Sequence, residues 1–142
     1  MKLNHFTVIL LLITLLLSAC STTRMNFVNS SIVPAAGGKA TVKKDKNKNF
    51  VIEVDIFNLA EPQKLTPSKG AYLVWMESTG NSVKKLGQIV SASGTFSKAL
   101  KGSLRATTIA EPLRIFITAE DDVTIQYPVG QTVLTTQSRN YE

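Results

Sequence analysis

Cysteine and histidine are almost missing from this sequence. Its 142 residues contain one of each, Cys20 and His5. A single cysteine has no partner for a disulfide within the chain, so the fold must be held together by packing alone. Without the first 19 residues there is no histidine, which excludes Ser-His and Cys-His catalytic pairs and the usual zinc sites built from His and Cys.

Long apolar runs are also scarce, and the main one lies at the N-terminus, at residues 6–17. As a helix this run would rise about 18 Å, whereas the hydrocarbon core of a bilayer is about 30 Å thick. Lys2 precedes the run, and the small residues Ser18 and Ala19 follow it, which is the order of a secretory signal. We therefore predict that residues 1–19 are a removable signal peptide.

The end of this segment, Leu17-Ser18-Ala19-Cys20, resembles the lipobox of bacterial lipoproteins. The resemblance implies that diacylglycerol is attached to the thiol of Cys20, that the chain is cleaved in front of it, and that fatty acids such as palmitate hold the protein on a membrane. Two or three acyl chains anchor a protein stably, whereas one does not. The alternative is an ordinary signal peptide, cut near Ala19, that leaves a free cysteine.

The residue after the cysteine is Ser21 rather than an acid. In this respect the chain resembles lipoproteins that some Gram-negative bacteria send to the outer membrane. We expect an exported, membrane-anchored protein, facing the periplasm from the outer membrane if the source is Gram-negative. An envelope protein or a cell-wall polymer would be its partner, and nucleic acid would not.

Removal of the signal leaves 123 residues and lowers the net charge from +6 to +5, because Lys2 is the only charge lost. This length suits one domain with a core of its own. Residues 20–36 are rich in Ser, Thr and Asn and are predicted to be the lipidated N-terminus and a flexible tether. We place a β-domain at residues 37–138 and a short tail at 139–142.

Two segments typical of strands, 39–44 and 50–58, flank the polar run 45–49, which predicts a hairpin with a five-residue loop. Side chains alternate across a strand, so one set from the second segment should face a core: Phe50, Ile52, Val54 and Ile56. The carboxylates of Glu53 and Asp55 should then point outwards.

Further segments of this kind follow a long connection at 59–70, and the nearly continuous apolar run at 71–78 is predicted to be a central strand. The others lie at 83–90, 95–100, 103–109, 113–119 and 132–136. No segment after residue 20 has a 3.6-residue apolar period. Seven or eight antiparallel strands without helices must bury their apolar faces against one another, which favours a β-sandwich, with a small closed barrel as the alternative.

Residues 63–136 resemble the C-terminal extracytoplasmic domain of the anti-sigma-K factor family. The resemblance is carried by Tyr72-Leu73-Val74-Trp75, Leu86-Gly87, Phe116-Ile117-Thr118-Ala119-Glu120 and Pro128-Val129-Gly130-Gln131-Thr132-Val133-Leu134. It implies an immunoglobulin-like sandwich. That family's regulatory arrangement, with a cytoplasmic sigma-binding domain before a transmembrane helix, does not carry over to a chain that begins with an export signal.

Three groups of side chains that carry oxygen atoms are candidates for calcium binding or catalysis. Asp45, Asn47 and Asn49 alternate like the first ligands of a calcium loop, but the loop's Gly and final Glu positions hold Phe and Ile, so a hairpin turn explains them better. The acidic turn 120–122 could hold calcium or remain solvated. Glu53 and Asp55, two apart on one strand face, could serve as the acid and base of a glycan hydrolase, although strand alternation alone produces such pairs.

Lysines concentrate around the hairpin, as a possible basic surface patch of Lys39, Lys43, Lys44, Lys46 and Lys48. Such a patch could touch anionic headgroups or acidic wall polymers, although lysines also protect a sheet edge from aggregation, and we favour that explanation. Trp75 could line a ligand groove, but a tryptophan in a central strand is more often part of the core.

These features predict a non-enzymatic envelope lipoprotein in which a β-sandwich acts as a binding, assembly or structural module. No catalytic residue, metal or cofactor is assigned, apart from the covalent lipid on Cys20. The alternatives are a carboxylate-dependent hydrolase of cell-wall glycan, and a sensory or regulatory lipoprotein related to the anti-sigma factor domains.

Overall fold

The computed structural model of the chain describes residues 22–28, 30–80, 82–90, 92–94 and 97–138, with the backbone alone at 92–94 and 97–99. The predicted signal peptide, the predicted lipidation site Cys20 and the predicted C-terminal tail at 139–142 lie outside these residues. Within them the chain forms nine strands and one short 3-10 helix at Pro62–Lys64. The strands are β1 (Thr22–Asn26), β2 (Gly37–Lys44), β3 (Phe50–Phe57), β4 (Ala71–Ser78), β5 (Ser82–Ile89), β6 (Ala92–Gly94), β7 (Ser97–Thr108), β8 (Arg114–Glu120) and β9 (Gln131–Thr135).

The strands form two antiparallel sheets, in the orders β1-β2-β3-β7-β6 and β5-β4-β8-β9. If β1 is set aside, the first sheet has the A-B-E-D order of an immunoglobulin domain and the second has its C′-C-F-G order. The predicted immunoglobulin-like β-sandwich is therefore confirmed. At one side of the sandwich a bridge between Phe27 and Thr136 joins the two sheets.

Alternation along β3 builds one wall of the core. Phe50, Ile52, Val54 and Ile56 are buried, as the sequence predicts, while their neighbours are partly or fully exposed. A fully buried aliphatic or aromatic side chain stabilises the fold by about 1.5–3 kcal/mol. Packing of this kind, with no disulfide to assist it, holds the two sheets together.

Strand β4 is buried on both faces, and its six residues from Ala71 to Met76 are all inaccessible to solvent. The side chains of Tyr72, Val74 and Met76 face the other sheet, whereas Leu73 and Trp75 belong to a separate apolar cluster. Burial on both faces explains why this strand is continuously apolar rather than alternating.

The prediction that residues 20–36 form a flexible tether is wrong for most of the residues that the structure describes there. Thr22–Asn26 forms the edge strand β1, which pairs along its whole length with β2. Beyond the strand, Phe27, Val33 and Ala36 pack into the main core. The scattered apolar residues of this Ser- and Asn-rich segment are core contacts, so the domain begins by Thr22 rather than at residue 37.

A second correction concerns the strands predicted separately at 95–100 and 103–109. One continuous strand, β7, runs from Ser97 to Thr108. Gly102 lies within this strand and pairs with Ile56. A Cβ atom at position 102 would lie 2.9 Å from Cγ1 of Ile89 in the opposite sheet, so the glycine leaves room for that side chain. The short strand β6 lies between the segments predicted as strands at 83–90 and 95–100.

Tyr72 places a hydroxyl group in the core. The side chain is fully buried, and its oxygen has no hydrogen-bond partner among the described residues. Burial raises the pKa of Tyr72 to about 12 from its ordinary value of 10. An unpaired buried hydroxyl destabilises the folded state because its hydrogen bonds with water are lost without replacement.

Replacing Tyr72 with Phe should therefore raise the free energy of unfolding at neutral pH by about 1 kcal/mol. Wild-type stability should also fall as the pH rises from about 10 to 12, because the unfolded tyrosine ionises there while the folded one stays neutral. The variant should lose less stability over that range. Urea denaturation at several pH values measures both effects, and a variant less stable than wild type at pH 7 would contradict this account.

Candidate functional site

The β2–β3 hairpin is organised by one carboxylate. Oδ1 of Asp45 accepts the backbone N–H groups of Asn47 and Asn49, both at 2.8 Å, and Oδ2 accepts the Asn49 amide at 3.0 Å. These bonds hold the pKa of Asp45 below its ordinary value, and the side-chain bond from Asn49 is the largest cause. The Asp-x-Asn-x-Asn pattern thus closes the five-residue loop that the sequence predicts.

The predicted basic patch is divided by the structure. Lys43, Lys44, Lys46 and Lys48 are exposed at the hairpin, with Lys44 5.0 Å above the ring of Phe50. Lys39 lies towards the opposite end of β2, about 17 Å along the strand from Lys44 at roughly 3.4 Å per residue. The hairpin lysines therefore form one group, and Lys39 belongs to a different surface.

Glu53 and Asp55 lie on the outward face of β3, as predicted. Oε1 of Glu53 is 3.3 Å from Nη1 of Arg105, and Oε2 is 3.5 Å from Nζ of Lys43. Asp55 is exposed beside Lys39 in the strand register. A carboxylate between two cations on an open sheet face resembles a surface ion-pair network, and this arrangement gives the hydrolase alternative no additional support.

The three carboxylates of the acidic turn are directed to different partners. Glu120 is buried, Asp121 pairs with Nζ of Lys69 at 2.8 Å, and Asp122 accepts the backbone N–H and hydroxyl of Thr124. The bonds from the Thr124 backbone and hydroxyl lower the pKa of Asp122 from its ordinary value. The turn does not gather these side chains around a common point.

Glu120 instead ends a buried hydrogen-bond chain on the outer face of the second sheet. The indole N–H of Trp75 donates to Oγ1 of Thr118 at 2.8 Å, and that hydroxyl donates to Oε1 of Glu120 at 2.6 Å. The backbone N–H groups of Val129 and Gly130 also donate to the Glu120 carboxylate. The chain connects β4 and β8 to the loop that precedes β9.

The loop at 121–130 covers an apolar cluster on that face, formed by Leu73, Trp75 and Phe116, with Val83 and Ile125 against it. Lys85 stabilises the covering by donating to the backbone oxygens of Val123 and Ile125, at 3.0 and 2.7 Å. Trp75 is fully buried, as expected, but it packs outside the main core rather than between the sheets.

Gly130 leaves the room that this arrangement needs. A Cβ atom at position 130 would lie 2.6 Å from Oε2 of Glu120 and would also collide with the backbone oxygen of Ala119. The close approach of the backbone lets the Gly130 N–H reach Glu120 at 2.7 Å. Three of the four segments that carry the predicted resemblance to the anti-sigma-K family contribute to this arrangement, through Trp75, through Thr118 and Glu120, and through Val129 and Gly130.

Replacing Thr118 with Val should lower the free energy of unfolding by about 1–3 kcal/mol, because it leaves the buried Trp75 N–H without an acceptor. The matched control is Thr107→Val on β7, where the side chain is exposed and a change within about 0.5 kcal/mol is expected. Urea denaturation of both variants is the measurement. Equal effects of the two substitutions would show that the hydrogen-bond chain does not stabilise the fold.

A surface groove of about 910 Å³ lies at the end of the first sheet where β2 begins and β3 ends. Its lining includes Asn26, Lys39, Asp55, Phe57, Val90 and Lys101. Phe57 is 51% exposed and Val90 is 66% exposed, so the groove combines apolar side chains with charges of both signs. Such a lining can make both apolar contacts and ion pairs.

Phe57 owes its position to a glycine on the neighbouring strand. Gly37 pairs with Phe57, and a Cβ atom at position 37 would lie 2.6 Å from the Cζ atom of the ring. The absence of a side chain at 37 lets the ring lie over the backbone of β2. Sequence reasoning missed this groove because its residues come from five separate segments, and Phe57 alone reads as an ordinary outward-facing strand residue.

Comparison with models of known protein families found no match, and comparisons with curated proteins and with solved structures found none either. The resemblance to the anti-sigma-K factor family stays a prediction. In the part of the chain that the structure describes, no helix is long and apolar enough to cross a bilayer. Among the same residues, no group of three or more His, Cys, Asp or Glu side chains could hold a metal ion.

Proposed function

We propose that this chain is an envelope lipoprotein, anchored through acyl chains on Cys20, whose β-sandwich works by binding. It is exported and held at a membrane, the outer membrane in a Gram-negative cell. The lipobox-like end of the N-terminal segment supports the anchor. The groove around Phe57 supports the binding role and is the observation on which it depends.

The position of the groove suits this arrangement. It lies at the Gly37 end of β2, whereas the strand β1 that follows Cys20 begins beside Lys43, towards the other end. From Lys44 to Gly37 the sheet extends about 24 Å at roughly 3.4 Å per residue. A protein anchored at Cys20 can therefore present the groove away from its attachment point.

The occupant that fits the groove best is a segment of another envelope protein. Phe57 and Val90 offer contact area to apolar side chains, and Lys39, Asp55 and Lys101 can pair with charges of either sign. An acidic wall polymer would be served better by cations alone. Half-exposed aromatic side chains are also typical anchors of protein interfaces.

The anchor is tested by metabolic labelling with a radioactive fatty acid. The native chain should take up label, and Cys20→Ala should take up none, because the acyl groups require the thiol of that residue. Ser18→Ala, which keeps the small residue that the lipobox prefers there, is the control and should still be labelled. Equal labelling of the native chain and Cys20→Ala would refute the proposed site.

The groove is tested by photo-cross-linking in intact cells. A photoreactive amino acid at position 90 should capture a discrete protein, and Phe57→Ala should reduce the yield severalfold because it removes the main apolar contact. Tyr127→Ala removes an aromatic side chain that is 72% exposed outside the groove and should leave the yield unchanged. Equal loss in both variants, or capture of wall polymer instead of protein, would contradict the proposal.

A further inference from the structure

The proposed anchor lies very close in the chain to the first described strand. Thr22 begins β1 and pairs with Lys43 in β2. Only Ser21 lies between Cys20 and Thr22, so the covalent chain keeps their Cα atoms at most about 7 Å apart. Paired strands lie about 5 Å apart, which puts the lipid-bearing residue within about 12 Å of the Lys43 backbone.

The same end of the sandwich carries the lysines of the hairpin. Lys44, Lys46 and Lys48 are all exposed there. The one acid in their loop, Asp45, has both carboxylate oxygens bonded inside the loop. Three cations therefore project from this end without a salt bridge to any described acid.

An apolar side chain accompanies these cations. Phe50 pairs with Thr108 at the end of β7, which brings the next residue, Ile109, to the hairpin end of the sheet. Ile109 is 85% exposed, the highest exposure among the large apolar side chains described. Basic residues beside an exposed aliphatic side chain are the combination found on surfaces that rest on anionic lipid.

We infer that this end of the domain, formed by Lys44, Lys46, Lys48 and Ile109, lies against the anionic headgroups of the membrane that holds Cys20. The inference rests on the proposed lipid anchor and adds an orientation to it. The lipid on Cys20 holds the domain at the bilayer, and the lysines determine which end of the domain faces the membrane. The groove around Phe57 then points away from the membrane.

The expected strength of this preference for one orientation follows from the charge of the three lysines. Each lysine near an anionic surface favours the bound orientation roughly fivefold, so three lysines favour it on the order of a hundredfold. Salt should weaken the effect, since the screening length falls from about 10 Å at 0.1 M salt to about 3 Å at 1 M. An orientation fixed only by the short link to Cys20 would not respond to salt or to lipid charge.

The test uses the full lipidated protein in phosphatidylcholine vesicles with and without phosphatidylglycerol. Because lipid occupies the thiol of Cys20, a fluorophore can be attached specifically to a new cysteine, either Asn47→Cys at the hairpin tip or Ser68→Cys in the β3–β4 connection. A headgroup-spin-labelled lipid should quench the probe at 47 severalfold more than the probe at 68. The difference should require phosphatidylglycerol and shrink at 1 M salt.

Two matched variants separate position from net charge. Replacing Lys44, Lys46 and Lys48 with Gln should abolish the difference in quenching, whereas replacing Lys39, Lys64 and Lys101 with Gln removes the same charge elsewhere and should preserve it. Equal quenching at 47 and 68, or equal effects of the two variants, would overturn the inference. Vesicle flotation is measured first: protein that does not float refutes the anchor, while protein that floats with uniform quenching refutes the orientation alone.

Discussion

The structure depends on the burial of two apolar sheet faces against each other. With one cysteine in the chain and no disulfide possible within it, nothing covalent holds the sheets together. Side chains such as Ile52 and Val54 from one sheet and Val74 and Ile117 from the other make up that contact, and all four are fully buried. The bridge at Phe27 and the N-terminal residues packed beyond β1 extend the same core. The edge strand β1 and the core between the sheets are thus packed together.

Strand β4 shows how one strand can serve two apolar environments. Its inner face packs between the sheets, and its outer face is covered by the loop at 121–130. That loop is held by polar contacts at both ends, with Glu120 receiving backbone N–H groups and Lys85 donating to backbone oxygens. A buried carboxylate is tolerated here because donors surround it.

The two ends of the sandwich differ in chemistry. One end carries the hairpin lysines and the start of β1, close in sequence to Cys20, and the other carries the mixed apolar and charged groove around Phe57. A sheet of this length separates the two by more than 20 Å, or roughly seven residues of strand. The proposed lipid attachment and the proposed binding of a partner therefore use different ends of the sandwich.

Local sequence alone determined several elements of this protein. The hairpin loop at 45–49 follows from turn chemistry, and alternation along β3 follows from the two-residue period of a strand. The nearly continuous apolar run at 71–78 predicted the central strand β4. Even the sandwich class followed, because strands without helices have only one another to pack against.

Only the tertiary structure decided the rest, because it depends on which distant segments meet. The N-terminal Ser- and Asn-rich segment looked like a tether because a few apolar residues among polar ones show no pattern until Met25 and Phe27 find the core. Trp75 was recognisable as buried, but Thr118, which accepts its indole N–H, and Glu120, which accepts from Thr118, are more than 40 residues away in the chain. The groove likewise arises from strand register, which brings together residues that are far apart in the chain.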